Sequence, residues 1–195
     1  KGQPPFSGVK NMGDPRERAL KGATLSTREL LDIGALLRCT RNLTDYAEGN
    51  RDFETVLDEI FERLMPDRKL EDKIYRAIVS EDMIADEASP TLADIRRKIR
   101  ASNSKIKETL SRYISGSYSK YLQENIITQR DGRFVVPVKI EHKGQLSGIV
   151  HDTSATGSTV FVEPMSVVET NNEIRVLKVR ESEEIARILA ELSAE

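Results

Sequence analysis

The strongest constraint on the fold is a long apolar repeat that begins near residue 91 and continues to about residue 125. Within it, apolar or small residues recur at spacings that mostly alternate between three and four. Residues at those spacings share one side of an α-helix, so the repeat predicts a single helix over about 91–125 with a heptad-like seam. At 1.5 Å per residue, such a helix is roughly 50 Å long. The seam residues are Leu92, Ile95, Ile99, Ser102, Ile106, Leu110, Tyr113, Ser117 and Tyr121.

The outer face of this predicted helix is mainly basic. It is interpreted as the solvated face of a coiled coil, and the alternative is a surface that meets a polyanion. The chain has a net charge of −2, so any contact with nucleic acid must come from a local patch. The basic residues are Arg96, Arg97, Lys98, Arg100, Lys105, Lys107, Arg112 and Lys120, and they outnumber Asp94, Glu108 and Glu124.

After the helix, the apolar pattern changes to the period of a β-strand. Alternate residues from Phe134 to Ile140 are apolar and therefore share one face of a strand. Pro137 cannot donate a ladder hydrogen bond, so the strand should lie at a sheet edge or carry a bulge there. Two further strands are predicted at 146–151 and 158–163. The pattern thus predicts a three-stranded antiparallel sheet.

Helical spacing occurs on both sides of this region. From about residue 166 to the end of the chain, apolar residues again recur at helical spacings. The first 90 residues also predict helices, and Ser26 or Thr27 opens the longest of them with a Ser-Thr-x-Glu capping pattern. The helices predicted in that part cover about 14–21, 27–46, 52–65 and 67–80.

Together these patterns predict a mainly α fold of the α+β class. The simplest assembly is an antiparallel pair of long helices with the small sheet at its tip, next to a helical segment over 1–90. The chain starts with Lys and stops within a predicted helix, so we expect it to be part of a larger protein. The single cysteine, Cys39, fits a reducing cytoplasmic setting. No apolar run approaches the roughly 18 residues that span a membrane, so no membrane partner is expected.

Three residues near the polar turn, His151, Asp152 and Ser154, raise the alternative of a small hydrolase. Adjacent strand residues point to opposite faces, however, and no G-x-S-x-G elbow is present. The SATGST segment lacks the spacing of a phosphate-binding P-loop, and the two histidines have no paired metal-ligand spacing. Cys39 fits a small core residue. We therefore expect no catalytic residue, cofactor or metal in this chain.

The polar turn at Thr153–Gly157 has two compatible interpretations. Asp, Ser and Thr side chains bond nearby backbone groups in turns, and Gly157 supplies a positive φ. At the tip of a helix pair, the same hydroxyl and amide groups could also donate hydrogen bonds to phosphate oxygens. Turn formation is the first role expected, and phosphate contact would be an additional one.

Several segments resemble the MutS-II (MutS-two) family of bacterial MutS homologues. The longest is GRFVVPVKIEHKGQLSGIVHDTSATGSTVFVEPMSVVETNNEIRVLK at 132–178. Shorter ones are IADEASPTLADIRRKIR at 84–100, YLQENIITQRDGRFVVPVK at 121–139 and LSTRELLDIGALLR at 25–38. The resemblance covers most of 14–195, with a few breaks.

The resemblance implies a mechanical role. In MutS-like proteins, a helical core is followed by long lever helices, and a small β clamp at the lever tips closes around duplex DNA in a dimer. By resemblance, the helical core segment is 1–90, the levers are 91–125 and 166–195, and the clamp is 126–165. The family is linked with recombination rather than mismatch repair, and also with stalled ribosomes. Duplex or branched DNA, ribosomal RNA and a nucleoid-associated cytoplasmic location are therefore implied.

The resemblance also implies which activities lie outside the chain. The family's ATPase and its C-terminal small MutS-related endonuclease domain would both lie beyond Glu195. ATP and Mg²⁺ are accordingly expected for the full-length protein only, which would work as a homodimer. We expect this chain itself neither to hydrolyse ATP nor to cut DNA.

The sheet and its turn carry the residues that we expect to contact nucleic-acid phosphates. Residues 130–163 hold about as many acids as bases, so the contact must be local. An alternative of a different class is a coiled-coil scaffold for self-association or ribosome docking, without phosphate contact. The candidate contact residues are Arg130, Arg133, Lys139, His142, Lys143, Ser154, Thr156 and Ser158.

Overall fold

The computed structural model describes residues 3–49 and 56–195. The described chain is mainly helical and contains two small antiparallel sheets, which confirms the predicted fold class. It divides into two compact units, and each is described by itself. The terminal unit comprises 1–93 and 183–195, and the sheet unit comprises 94–182.

The terminal unit is built from helices around an apolar core. Helix α2 begins with a complete capping box, because the Ser26 side chain accepts from the Glu29 backbone and the Glu29 side chain accepts from the Ser26 N–H. The capping pattern read from the sequence is thus confirmed. The helices of this part are α1 (Gly13–Leu20), α2 (Thr27–Glu48), α3 (Asp58–Phe61) and α4 (Arg68–Ala77). Its core includes Leu25, Leu30, Ile74, Ile78, Leu92 and Ile188.

Two helix predictions in this unit were wrong in extent. Residues 52–55 of the predicted 52–65 helix lie outside the described residues. Within its remaining part, 56–65, only α3 is helical. Val56, Ile60 and Met65 remain exposed there, so little apolar burial supports a longer helix. The predicted 67–80 helix ends at Ala77. It gives way to a two-stranded antiparallel sheet.

That small sheet consists of β1 (Ile78–Ser80) and β2 (Met83–Ile84). β-Branched side chains at Ile78 and Val79 favour an extended backbone over a further helical turn. Ile78 pairs with Ile84, and both side chains are buried in the terminal unit. Ile78, which the helix prediction included, is therefore a core residue of a hairpin, whereas Val79 is 60% exposed.

The two long helices are α5 (Pro90–Ser115) and α6 (Val168–Ser193). Leu92, Ile106 and Leu110 of the α5 seam are fully buried, as the heptad-like spacing predicts. Helix α5 nevertheless ends at Ser115 rather than near residue 125. The chain bends at Gly116, where a Cβ would lie 2.3 Å from the Arg112 carbonyl oxygen.

The sheet unit contains a four-stranded antiparallel sheet rather than the three strands predicted. Its strands are β3 (Thr128–Arg130), β4 (Arg133–Lys139), β5 (Gly148–Thr153) and β6 (Thr159–Pro164), in the spatial order β3-β4-β6-β5. The missed strand, β3, joins β4 through a two-residue hairpin at Asp131 and Gly132, whose φ angles are 50° and 73°. Asp-Gly favours such a turn because both positions need positive φ.

Pro137 lies where strand pairing changes. Strand β3 pairs with β4 only as far as Val135, and β6 pairs with the other side of β4 from Val136 onward. The Pro137 carbonyl accepts a hydrogen bond from the Gln123 N–H at 2.9 Å. The missing N–H of Pro137 thus costs no pairing with β3. Strand β4 is nevertheless an inner strand without a register shift, so the predicted edge position or bulge was wrong. The irregular register occurs instead in β5, between Val150 and Asp152.

One face of the sheet forms the core of the sheet unit. Phe134, Val136 and Val138 are buried on this face, as their alternation predicts. Ile140, which was placed on the same face, is 42% exposed, because β4 has ended and a 3₁₀ turn, Ile140–Gln145, has begun. The remaining core residues are Ile106, Leu110, Leu122, Leu146, Val160, Val162, Val167 and Ile174.

Candidate nucleic-acid interface

One end of the four-stranded sheet gathers most of the predicted contact residues. Lys139, the last residue of β4, lies opposite Thr159, the first residue of β6. The Ile140 N–H donates to the Ser158 carbonyl at 2.9 Å, which holds the 3₁₀ turn Ile140–Gln145 beside the polar turn of the β5–β6 connection. The predicted residues brought to this end are Lys139, His142, Ser154, Thr156 and Ser158, and Lys143 follows His142 on the 3₁₀ turn.

A run of aromatic rings reaches the same end from helix α5. Tyr113 and Tyr118 stack with their centroids 5.0 Å apart and an interplanar angle of 27°. Tyr118 also contacts Tyr121 at 6.3 Å, and Tyr121 contacts His142 at 5.1 Å, both with tilted planes. The sequence interpretation assigned Tyr113 and Tyr121 to the helix seam, gave Tyr118 no role and missed the three as a site. The available signal was their density, since three of the chain's five tyrosines lie within 113–121.

Three lysines flank this run of rings. The Lys120 Nζ lies 5.0 Å from the Tyr121 ring centroid, and the Lys139 Nζ reaches only the Lys120 carbonyl, at 3.5 Å. Lys143 is exposed on the 3₁₀ turn. Among the described residues, none of these three lysines forms an ion pair with a carboxylate, although Glu141 is exposed on the same turn. We call this set the basic–aromatic patch: Tyr113, Tyr118, Lys120, Tyr121, Lys139, His142 and Lys143.

The polar turn beside the patch is held by its own hydrogen bonds. The Ser154 N–H donates to the Thr159 carbonyl at 2.8 Å, and the Ser154 hydroxyl accepts from the Thr159 N–H at 3.1 Å. The Gly157 N–H donates to the Ser154 carbonyl, with Gly157 at a φ of 72°. The Thr156 and Ser158 hydroxyls bond each other at 2.8 Å and remain exposed. These contacts are the turn chemistry that the residue types predict.

Arg133 lies away from this end, at the start of β4, and is buried in an ion pair. Its guanidinium donates two hydrogen bonds to Glu163, at 2.8 and 2.6 Å. Only 13% of the Arg133 side chain is exposed, and the Glu163 side chain is fully buried. Such a bidentate pair occupies the donors that a phosphate would need.

Glu163 has two further partners. The Asn171 amide donates to Glu163 at 2.8 Å, and the His151 Nε2 lies 2.5 Å from the other carboxylate oxygen. Burial by itself raises the pKa of Glu163, but the hydrogen bonds from Arg133, His151 and Asn171 outweigh it and leave the pKa below its ordinary value. Glu163 is therefore a buried carboxylate held in its charged form.

Two backbone features place this network. His151 lies at the irregular register of β5, where Val150 pairs with Val162 but Asp152 pairs with Phe161. Such a bulge changes the direction of the extra side chain, which here contacts Glu163. The Asn171 side chain also accepts from the Phe134 N–H and donates to the Phe134 carbonyl. Phe134 lies two residues before Val136, where the pairing of β4 with β6 begins. The network thus supplies hydrogen bonds to β4 where its ladder with β6 ends.

The guanidinium of Arg130 already has several partners within the sheet. Its Nε donates to Asp152 at 3.1 Å, and its guanidinium carbon lies 3.7 Å from the centroid of the Phe161 ring. It also donates to the Gln129 carbonyl at 2.7 Å. The side chain keeps 34% of its surface exposed.

The arrangement around His151 does not suit nucleophilic catalysis. His151 contacts Glu163, whereas the Ser154 hydroxyl bonds the Thr159 N–H and Thr156. A triad would need His151 within hydrogen-bond reach of Ser154. Cys39 is buried, with its thiol donating to the Pro5 carbonyl at 3.4 Å, as expected of a small core residue.

Two features are absent from the described residues. Over 3–49 and 56–195, no group of three or more His, Cys, Asp or Glu side chains is arranged to hold a metal ion. Over the same residues, none of the helices combines the length and apolar character that crossing a membrane requires.

By fold and site, this is a helical protein whose sequence carries a small antiparallel sheet between two long helices, with a basic–aromatic patch at one end of the sheet. No protein-family model matches the chain. Curated relatives do. It is 46% identical over 199 residues to endonuclease MutS2 of Acetivibrio thermocellus, 47% identical over 195 residues to endonuclease MutS2 of Clostridium beijerinckii, and 43% identical over 196 residues to that of Clostridium acetobutylicum.

These alignments cover between 99% and 100% of this chain, and the chain spans 25% of the length of each of these relatives. Over its whole length the chain belongs to the MutS-II family, which confirms the resemblance seen in the sequence.

Proposed function

We propose that the chain is the lever and clamp part of a MutS-II protein and that its sheet unit grips the phosphate backbone of duplex or branched DNA. Residues 126–165 would form the clamp, and 91–125 and 166–195 the levers, in an ATP-driven homodimer that controls recombination. The ATPase, its ATP and Mg²⁺, and the endonuclease activity named for the relatives would belong to parts of the protein outside this chain.

The observation that carries the proposal is the set of lysines without carboxylate partners at one end of the sheet. Lys120 and Lys139 meet there, and Lys143 follows His142 on the adjoining 3₁₀ turn. A lysine that is already paired within the fold gains little from a phosphate, whereas an unpaired exposed lysine releases counterions from the nucleic acid when it binds. The Thr156 and Ser158 hydroxyls lie beside these lysines and add neutral donors.

The proposal gives Arg133 and Arg130 a different role from that of the lysines. Arg133 is committed to the buried Glu163, so we assign it to sheet stability. Arg130 is held between Asp152 and the Phe161 ring, and this leaves it at most a secondary phosphate contact. The phosphate-binding set is therefore narrower than the basic residues of the sheet taken together.

The test is the salt dependence of DNA binding by the intact protein. For Lys139→Ala and Lys143→Ala we expect weaker binding to every duplex sequence and a loss of about one unit of salt slope for each lysine. Lys69→Ala, which removes an exposed lysine of α4 in the terminal unit, is the matched control and should leave the slope unchanged. Unchanged affinity and slope in both sheet variants would remove the basis of the proposal.

A scaffold role without phosphate contact has one observation in its favour. Val176 and Val179 of α6 are 52% and 55% exposed, which suits a partner helix. The α5 seam cannot serve that purpose, since Leu92, Ile106 and Leu110 are buried within this chain. Sedimentation with and without DNA, at low and moderate salt, separates the two roles. A tight oligomer that binds neither DNA nor ribosomal RNA would favour the scaffold role.

A further inference from the structure

We infer that the basic–aromatic patch stacks unpaired nucleobases, so that the sheet unit prefers single-stranded segments of nucleic acid to intact duplex. This inference rests on the proposed nucleic-acid function and names its substrate more narrowly. Its central residue is Tyr118, which lies between Tyr113 and Tyr121 and is 38% exposed.

The geometry of the rings leaves aromatic surface available. Tyr118 stacks on Tyr113 with one face, but its plane is tilted by 59° from that of Tyr121. Tyr121 and His142 are tilted by 53°. Tyr118 nevertheless stays 38% exposed, so aromatic surface remains on this ring on which a flat base can stack.

The fold does not need all of these rings for its core. Tyr113 packs against the apolar core of the sheet unit and its hydroxyl bonds Ser166 at 3.0 Å, but Tyr118 and Tyr121 are not members of that core. The Gly116 bend and the 3₁₀ turn Ser119–Tyr121 carry these two rings out of the helical seam. Tyr118 is thus presented on the surface, Tyr121 is half-buried, and neither belongs to the core around Leu110.

The flanking charges suit the backbone of a strand whose bases stack on the rings. Lys120 and Lys139 supply cations beside the rings, and Lys143 adds one on the turn that holds His142. Among the described residues none of them is neutralised by an ion pair. Aromatic side chains interleaved with cations are the usual means of binding single strands, since every base offers a π-face. In a duplex the base faces are already stacked on one another, so the rings gain nothing there.

The test compares Tyr118→Leu with Tyr118→Phe in the intact protein. The probes are a single-stranded DNA oligonucleotide, an RNA oligonucleotide of the same sequence and the blunt DNA duplex. We expect Tyr118→Leu to weaken binding of both single strands at least about fivefold, the lower end of what losing one stacking partner costs. Duplex binding should stay within about twofold. Tyr118→Phe keeps the ring and should bind single strands like the unchanged protein.

A fluorescence measurement on the unchanged protein guards against misfolding of the variant. A 2-aminopurine base in the single strand should be quenched on binding, since stacking on an aromatic ring quenches it. Absence of quenching, or equal loss of single-strand and duplex binding in a folded Tyr118→Leu variant, would overturn the inference. Loss of binding in Lys143→Ala would in that case leave the phosphate-gripping proposal standing. If Lys143→Ala and Tyr118→Leu both bind as before, both proposals fail.

Discussion

Two sets of basic side chains in the sheet unit have opposite surroundings. Arg133 and His151 converge on the buried Glu163, where every polar group has a partner. Lys143 and His142 lie on an exposed 3₁₀ turn, where neither forms an ion pair among the described residues. The residue types are similar and lie close together in the sequence. Their difference lies in whether a carboxylate reaches them.

This contrast separates stability from binding. A basic side chain that is paired with a buried carboxylate is costly to remove and has few donors left for a ligand. An exposed and unpaired lysine contributes little to folding and keeps its donors for an anion. Mutations in the buried set should therefore lower the free energy of unfolding, whereas mutations in the exposed set should weaken nucleic-acid binding.

The largest effect is expected for Arg133→Ala. Removing the guanidinium leaves Glu163 as a buried charge without its main partner, at a cost of about 3–5 kcal/mol in the free energy of unfolding. Urea denaturation measures it. The double variant Arg133→Met with Glu163→Leu should recover much of the loss, since a buried ion pair can often be replaced by apolar side chains. A cost below about 1 kcal/mol for Arg133→Ala would show that the two sets do not differ as described.

The second largest effect is expected from acid, which should lower the stability that the buried set provides. The pKa of Glu163 is lowered on folding, so the carboxylate binds its proton more readily in the unfolded chain. The associated stability is fully present above the ordinary pKa of about 4.5 and is lost as pH falls from there through the lower folded value. Denaturation midpoints measured from pH 7 downward should show this loss. Glu163→Gln should flatten that part of the profile, and an unchanged profile in this variant would contradict the assignment.

The two histidines provide a smaller, matched comparison. His151→Ala removes one partner of a buried carboxylate and should lower the free energy of unfolding by about 1–3 kcal/mol. His142→Ala removes a partly exposed ring contact with Tyr121 and should change the free energy of unfolding by no more than about 0.5 kcal/mol. Thermal or urea unfolding of both variants checks the pair. Equal costs would remove the distinction between them.

The smallest effect on stability is expected for Lys143→Ala. Its side chain is exposed and has no ion-pair partner among the described residues, so the free energy of unfolding should stay within about 0.5 kcal/mol. Its effect should appear only in the salt dependence of nucleic-acid binding. A destabilised Lys143→Ala protein would place this lysine in the paired set instead.

Elements set by neighbours in the chain could be predicted from the sequence. The capping box at Ser26, the apolar seam of α5 and the alternation of β4 all depend on residues within a few positions of one another. The β3–β4 hairpin was predictable too, because Asp131-Gly132 is a strong turn signal, but the short strand before it lacks apolar alternation. The assignment of levers and clamp stays a prediction.

Other elements depended on contacts that the local pattern does not contain. The predicted 52–65 helix had helical spacing, yet its described part keeps apolar side chains exposed and forms only α3. The α5 repeat continued in sequence past Ser115, but the chain turns at Gly116. In both cases the spacing shows which face could be buried. Whether another element covers that face is settled elsewhere in the chain.

The sequence by itself determined the two long helices, the strands β4 to β6 between them and the membership of a family, since these depend on spacing and on residue identity along the chain. Only the tertiary structure decided which basic residues are available to a ligand. Arg133 and Glu163 are thirty positions apart, and Tyr121 and His142 are separated by two strands. The energy of a charge depends on the dielectric and the partners around it, and both are set by residues that only folding brings together.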